Sequence, residues 1–182
     1  MDLLETLVSS GLLFAGLVDD EGTAPVRWAR LKDKLGPRLY QWPEGCTEEN
    51  VIAAIPERNL LELLKNREGE MDGNRLRTLA DRLALQDKTP AAIEDALQAS
   101  GMTWRAVIIA AATGSKAGAP EKEANAWKKH SQQWFKSSQG GHELAKKMVA
   151  LGAWSDIHSK LLPLINAVLV AAGRSALEKL DL

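Results

Sequence analysis

The amino-acid sequence predicts an α/β protein in which helix predominates, with a small parallel sheet near the N-terminus and a mostly helical C-terminal region. Three observations lead there. An apolar run from Leu12 to Val18 follows a short amphipathic segment, Arg38 to Trp42 alternates polar and apolar residues, and beyond Gly45 every apolar pattern has helical spacing.

Leu3, Leu4 and Leu7 share one helical face, and Ser9, Ser10 and Gly11 end that helix. The run Leu12 to Val18 is apolar at successive positions, as in a parallel strand covered on both faces. It closes on Asp19, Asp20, Glu21 and Gly22. From Pro25 to Leu35, Val26, Trp28, Leu31 and Leu35 suit an amphipathic helix with proline in its first turn and Gly36 past its end. Arg38 to Trp42 reads as a second strand, nearer the sheet edge, before the turn Pro43-Glu44-Gly45.

Thr47, Glu48, Glu49 and Asn50 form a helix N-terminus ahead of Val51, Ile52 and Ile55. Helical spacing recurs over Leu60 to Leu64, Leu76 to Leu85, Pro90 to Ala99 and Trp104 to Ala112. A glycine-rich mobile loop is expected at 113–120. After it come an aromatic, lysine-rich helix to about Ser138, a helix from about His142 to Leu151 and a last apolar helix from Ile157 to Ala172, with Gly140 and Gly141 separating the first two. The domain division predicted is 1–56 for the α/β part and 57–182 for the helical region.

Charge is nearly balanced, with 23 Lys and Arg against 24 Asp and Glu in 182 residues, so nucleic-acid binding must come from a local patch. The single cysteine, Cys46, excludes an intramolecular disulfide and fits the reducing cytoplasm. No apolar stretch reads as a membrane-spanning helix or a signal peptide. No Walker motif is present, so ATP is not expected to bind this chain.

In open α/β sheets, functional groups gather beyond the carboxyl ends of the strands, and here both strands run into carboxylates. Asp19 and Glu21, two apart, can point the same way in extended chain, and Glu48 follows the second strand. Such oxygen donors suit Mg²⁺ or Mn²⁺, whose chemistry on a phosphodiester is hydrolysis, with a lysine offsetting transition-state charge. Lys136 is the candidate. Against this stand ordinary roles: an acidic turn is common punctuation after a strand, and Glu48 and Glu49 are normal first-turn helix residues. Lys128, Lys129 and Lys146 suit a solvated face as well as a phosphate track, while Trp127, Trp134 and Phe135 suit a core.

The strings Gly16-Leu-Val-Asp-Asp-Glu-Gly22, Tyr40-Gln-Trp-Pro-Glu-Gly-Cys-Thr-Glu-Glu-Asn-Val-Ile52 and Trp134-Phe-Lys-Ser137, with Gly140-Gly141 and Glu143-Leu-Ala145, resemble the C-terminal region of OLD-family (overcoming lysogenization defect) ATP-dependent nucleases. The resemblance implies the C-terminal half of a Toprim (Rossmann-like) domain within 1–56 and its helical elaboration. It assigns Asp19, Glu21 and Glu48 to Mg²⁺ or Mn²⁺, with Asp20 and Glu49 as alternatives, and makes Lys136 the basic active-site residue. It further implies two-metal cleavage of DNA, a tendency to form homodimers, and an ATPase module or chain that supplies the other Toprim half. On this reading the chain starts inside the domain and is weak or inactive alone. The rival reading is a non-catalytic helical module binding DNA or protein through Lys128, Lys129 and Lys146.

Overall fold

The structure is a computed structural model that describes residues 2–19, 24–114 and 121–180, with the backbone alone for 121–124. Helix accounts for 65% of it and the sheet has two parallel strands, an α/β arrangement dominated by helix. The chain forms two compact units, 1–47 with 155–182 and 48–154.

The first unit contains α1 (Asp2–Ser9), β1 (Gly16–Val18), α2 (Pro25–Leu35), a 3₁₀ turn at Gly36–Arg38, β2 (Leu39–Gln41) and nearly all of α9 (Trp154–Ala171). Leu31, Leu35 and Leu39 form its buried core, with Leu4, Val8, Phe14, Val18 and Trp28 packed against them. Arg27 on α2 donates to Glu5 and Asp2 on α1, joining the two helices on the outside. The strands pair in parallel, Gly16 with Leu39, Leu17 with Tyr40 and Val18 with Gln41.

The first strand is shorter than its apolar run predicts. Leu12 and Leu13 precede the ladder and Leu13 is 75% exposed. The cause lies in the partner. Pro37 sits in the 3₁₀ turn before β2 and Pro43 just after Trp42, so proline bounds the second strand on both sides and leaves few residues for β1 to pair with.

The second unit runs from α3 (Thr47–Ala54), whose first residue belongs to the first unit, through a 3₁₀ helix (Glu57–Leu64), α4 (Gly73–Arg82), α5 (Pro90–Ser100), α6 (Trp104–Thr113) and α7 (Glu121–Ser131) to α8 (Ser138–Ala150). Side-chain caps set several helix starts: Asp72 accepts from Asn74 and Arg75, Thr89 from Ala92, Thr103 from Ala106 and Ser137 from Gly140. The helix α6 packs on α4, α7 and the 3₁₀ helix. Ile52, Leu63, Leu79, Ile93 and Ile108 are fully buried, and Trp134 donates through Nε1 to Thr78 Oγ1 at 2.9 Å inside this core. Of the loop expected at 113–120, Thr113 ends α6, Gly114 follows it, and 115–120 lie outside the described residues.

The glycine pair does not separate helices. Gly140 and Gly141 belong to the first turn of α8, because Ser137 caps that helix; the break falls instead at 132–137.

On α7, the His130 ring sits edge-on to Trp127 at 5.2 Å, with Nε2 3.6 Å from Asp81 and Nδ1 buried without a hydrogen bond among the described residues. Burial, aided by Arg82 and Arg77 and opposed by Asp81, holds its pKa below the ordinary imidazole value. Below about pH 6.5 the unfolded chain therefore binds a proton that the folded chain resists, and stability falls with pH. Urea unfolding midpoints measured between neutral and mildly acid pH should fall less steeply in His130→Gln. Equal slopes would contradict this.

Candidate metal centre

Asp19 stands at the carboxyl end of β1, the end of a parallel sheet where loops build binding sites. Its Oδ1 accepts from the Thr47 backbone N–H at 2.8 Å and the Thr47 hydroxyl at 2.9 Å, and that hydroxyl in turn accepts from Trp42 Nε1 at 3.0 Å. Thr47 is the first residue of α3, so the strand end is tied to a helix start whose N–H groups lack intrahelical acceptors. A carboxylate there also complements the positive end of the helix dipole. Asp19 thus has a structural role whether or not it also binds a cation. The Cys46 sulfur and an Asp19 carboxylate oxygen lie within 4.8 Å of one another.

In the second unit, Glu48, which follows Thr47 on the same turn, meets Lys136. The Lys136 ammonium lies 2.8 Å from Glu48 Oε2, joining residues 88 positions apart, and Glu48 is the more buried partner. Lys136 is placed by its neighbours: Trp134 and Phe135 are buried just before it and Ser137 caps α8 just after. The backbone is therefore held on both sides of the lysine.

Glu49 is the third residue of α3 and is half-buried. Asp20 and Glu21 lie outside the described residues. Lys128 and Lys129 are exposed near the end of α7, and Lys146 is exposed on α8. Trp127, Trp134 and Phe135 are buried in the second unit, as their spacing predicts.

Sequence reading missed Thr47 as the acceptor and donor linking Trp42 to Asp19, and missed that buried Arg75 pairs with Glu143 beside Lys147. A carboxylate ending the first strand and a threonine opening the helix after the second strand was the only signal for the former. Nothing in the periodicity marks Arg75, which sits in the first turn of α4.

Carboxylate oxygens are hard donors of the kind Mg²⁺ or Mn²⁺ take, whereas the thiol of Cys46 is soft and adds nothing for those ions. Among the described residues no helix is long and apolar enough to cross a membrane.

No protein-family model matches the chain, and no curated protein or solved structure matches it.

Proposed function

We propose that the chain carries part of a divalent-metal-dependent site for phosphodiester hydrolysis in DNA, of the OLD-family nuclease type. The observation that supports this most is the ion pair of Glu48 with Lys136, two residues of distant segments that the sequence nominated separately for one site. On the resemblance, Asp19, Glu21 and Glu48 are the carboxylates assigned to Mg²⁺ or Mn²⁺. When bound, the metal supplies acidification of a coordinated water and charge neutralisation on the phosphate. Lys136 brings a fixed positive charge to the same carboxylate and can stabilise a phosphoryl oxygen as negative charge develops on it. Thr47 and Trp42 keep the Asp19 carboxylate oriented through their hydrogen bonds. Homodimers, and a companion module or chain that completes the site, belong to the same proposal.

Supercoiled plasmid incubated with Mn²⁺ and the chain, with the companion module that completes the site supplied alongside, tests it. Nicking should require the metal, stop with EDTA, and fall by roughly 10²–10³ in Lys136→Ala, the usual cost of removing one electrostatic stabiliser. Nicking that survives EDTA, or is unchanged in Lys136→Ala and Glu48→Gln, overturns the assignment.

The second reading, a non-catalytic DNA-binding module, is favoured by the exposure of Lys128 and Lys129 on α7. Base stacking on Trp127 and Trp134 is not open to it, because both rings are buried, so affinity would be electrostatic and steeply salt-dependent. DNA binding that ignores EDTA, without cleavage, would favour it.

A further inference from the structure

A cleft of about 380 Å³ opens in the second unit, walled by Asn66, Arg67, His142, Glu143, Lys146 and Lys147. Its one carboxylate is already engaged: Glu143 Oε1 accepts from Arg75 Nη2 at 2.8 Å and lies 3.7 Å from Lys147 Nζ. Arg75 is 3% exposed and Lys147 15%, and both draw on Glu143, with Asp72 3.9 Å from Arg75 Nε and Glu62 near Lys147 as further carboxylates outside the cleft walls. Lys147 Nζ also donates to neutral acceptors, the carbonyls of Glu62 at 2.6 Å and Lys65 at 2.8 Å. Burial, and then the nearby Arg75, hold the Lys147 pKa below the ordinary ammonium value.

Two further cations face the same space. Arg67 is held against α8 by donating to the Gln139 carbonyl at 3.2 Å, and Lys146 stands beside Lys147 on that helix. Among the cleft walls Arg67, Lys146 and Lys147 therefore face one carboxylate, Glu143, which also serves the adjoining Arg75. Solvated lysine faces do not bury an ammonium beside a guanidinium. An anion of more than one charge would offset the surplus, and tetrahedral oxygens match the guanidinium fork and the ammonium donors together.

We infer that this cleft binds a phosphate group, held by Arg67, Lys146 and Lys147, with Asn66 and His142 available as hydrogen-bonding groups at the wall. The site is separate from the proposed metal centre and does not depend on it.

Calorimetric titration with inorganic pyrophosphate, at ionic strength fixed with chloride, is the test. Saturable binding is expected, weakened at least about ten-fold in Arg67→Ala/Lys146→Ala, equivalent to about 1.4 kcal/mol. Both side chains are exposed, so this variant should keep its fold, which circular dichroism checks. A single-stranded DNA oligonucleotide is the second arm. Displacement of pyrophosphate by it assigns the phosphate to a nucleic-acid backbone; failure to displace assigns it to a small phosphorylated molecule; both uphold the cleft. Heats no different from chloride, or undiminished affinity in the folded double variant, would overturn it. Loss of plasmid nicking alone leaves this binding intact, so the two proposals fail separately.

Discussion

Arg75→Met is expected to destabilise the second unit by about 3–5 kcal/mol, the range for breaking a buried charge pair from one side. Arg75 is 3% exposed and serves three acceptors at once: Nη1 donates to the carbonyls of Leu63 at 2.8 Å and Lys65 at 2.9 Å, and Nη2 to Glu143 at 2.8 Å. The two carbonyls lie at the end of the 3₁₀ helix, where no intrahelical donor reaches them. The guanidinium also stacks over Phe135, 4.9 Å from the ring centroid, and near Trp134 at 5.5 Å. Methionine fills the volume and leaves Glu143, 12% exposed, without its strongest partner. Arg75→Lys should rescue little, since one ammonium cannot span acceptors on three sides. Glu143→Gln added to Arg75→Met should recover part of the loss by removing the stranded charge. Chemical unfolding midpoints give the answer, and a loss below about 1 kcal/mol in Arg75→Met would show that the guanidinium is not a structural keystone.

Gly140→Ala should be the second large effect, in contrast with its neighbour. A Cβ at Gly140 would stand 2.6 Å from the Trp134 carbonyl oxygen and 2.8 Å from the Phe135 Cα. Both are backbone atoms of a buried segment, so neither can swing aside. Overpacking of this kind costs about 1–3 kcal/mol, more than the roughly 1 kcal/mol that alanine gains over glycine in a helix. At Gly141 the nearest atom to a new Cβ is 4.0 Å away, and Gly141→Ala should be neutral or stabilising. Thermal unfolding of the two variants side by side should therefore move in opposite directions or split widely. Equal shifts would refute the close approach of α8 to Trp134 and Phe135.

How far the sequence discloses this molecule depends on the range of the interaction. Helices α4 to α6 follow from local spacing and from Thr89 and Thr103, whose caps act within three residues. Strand β1 was overextended because an apolar run says nothing about the length of its partner, and Pro37 and Pro43 limit that partner from elsewhere in the chain. Gly140 and Gly141 read as a break because glycine usually ends helices; the tight approach of Trp134 and Phe135, which requires glycine inside α8, is tertiary. The candidate site divides the same way. Asp19 stands out at a strand end and Glu48 at a helix start, but their partners, Thr47 at a distance of 28 residues and Lys136 at 88, are set by folding. Arg75, Glu143 and Lys147 carry no pattern at all, since a buried charge looks like a surface charge until its acceptors are in place.

The most direct test of the proposed metal centre is a Mn²⁺ titration followed by electron paramagnetic resonance, on the full chain and on Asp19→Asn and Glu48→Gln. Asparagine can still accept from Thr47, so loss of charge is separated from loss of the strand-to-helix tie, and circular dichroism verifies the fold. The expected result is a saturable site that Mg²⁺ displaces, weakened at least about ten-fold by either substitution. A Mn²⁺ signal that never saturates, or a site whose affinity is the same in both folded variants, would contradict it.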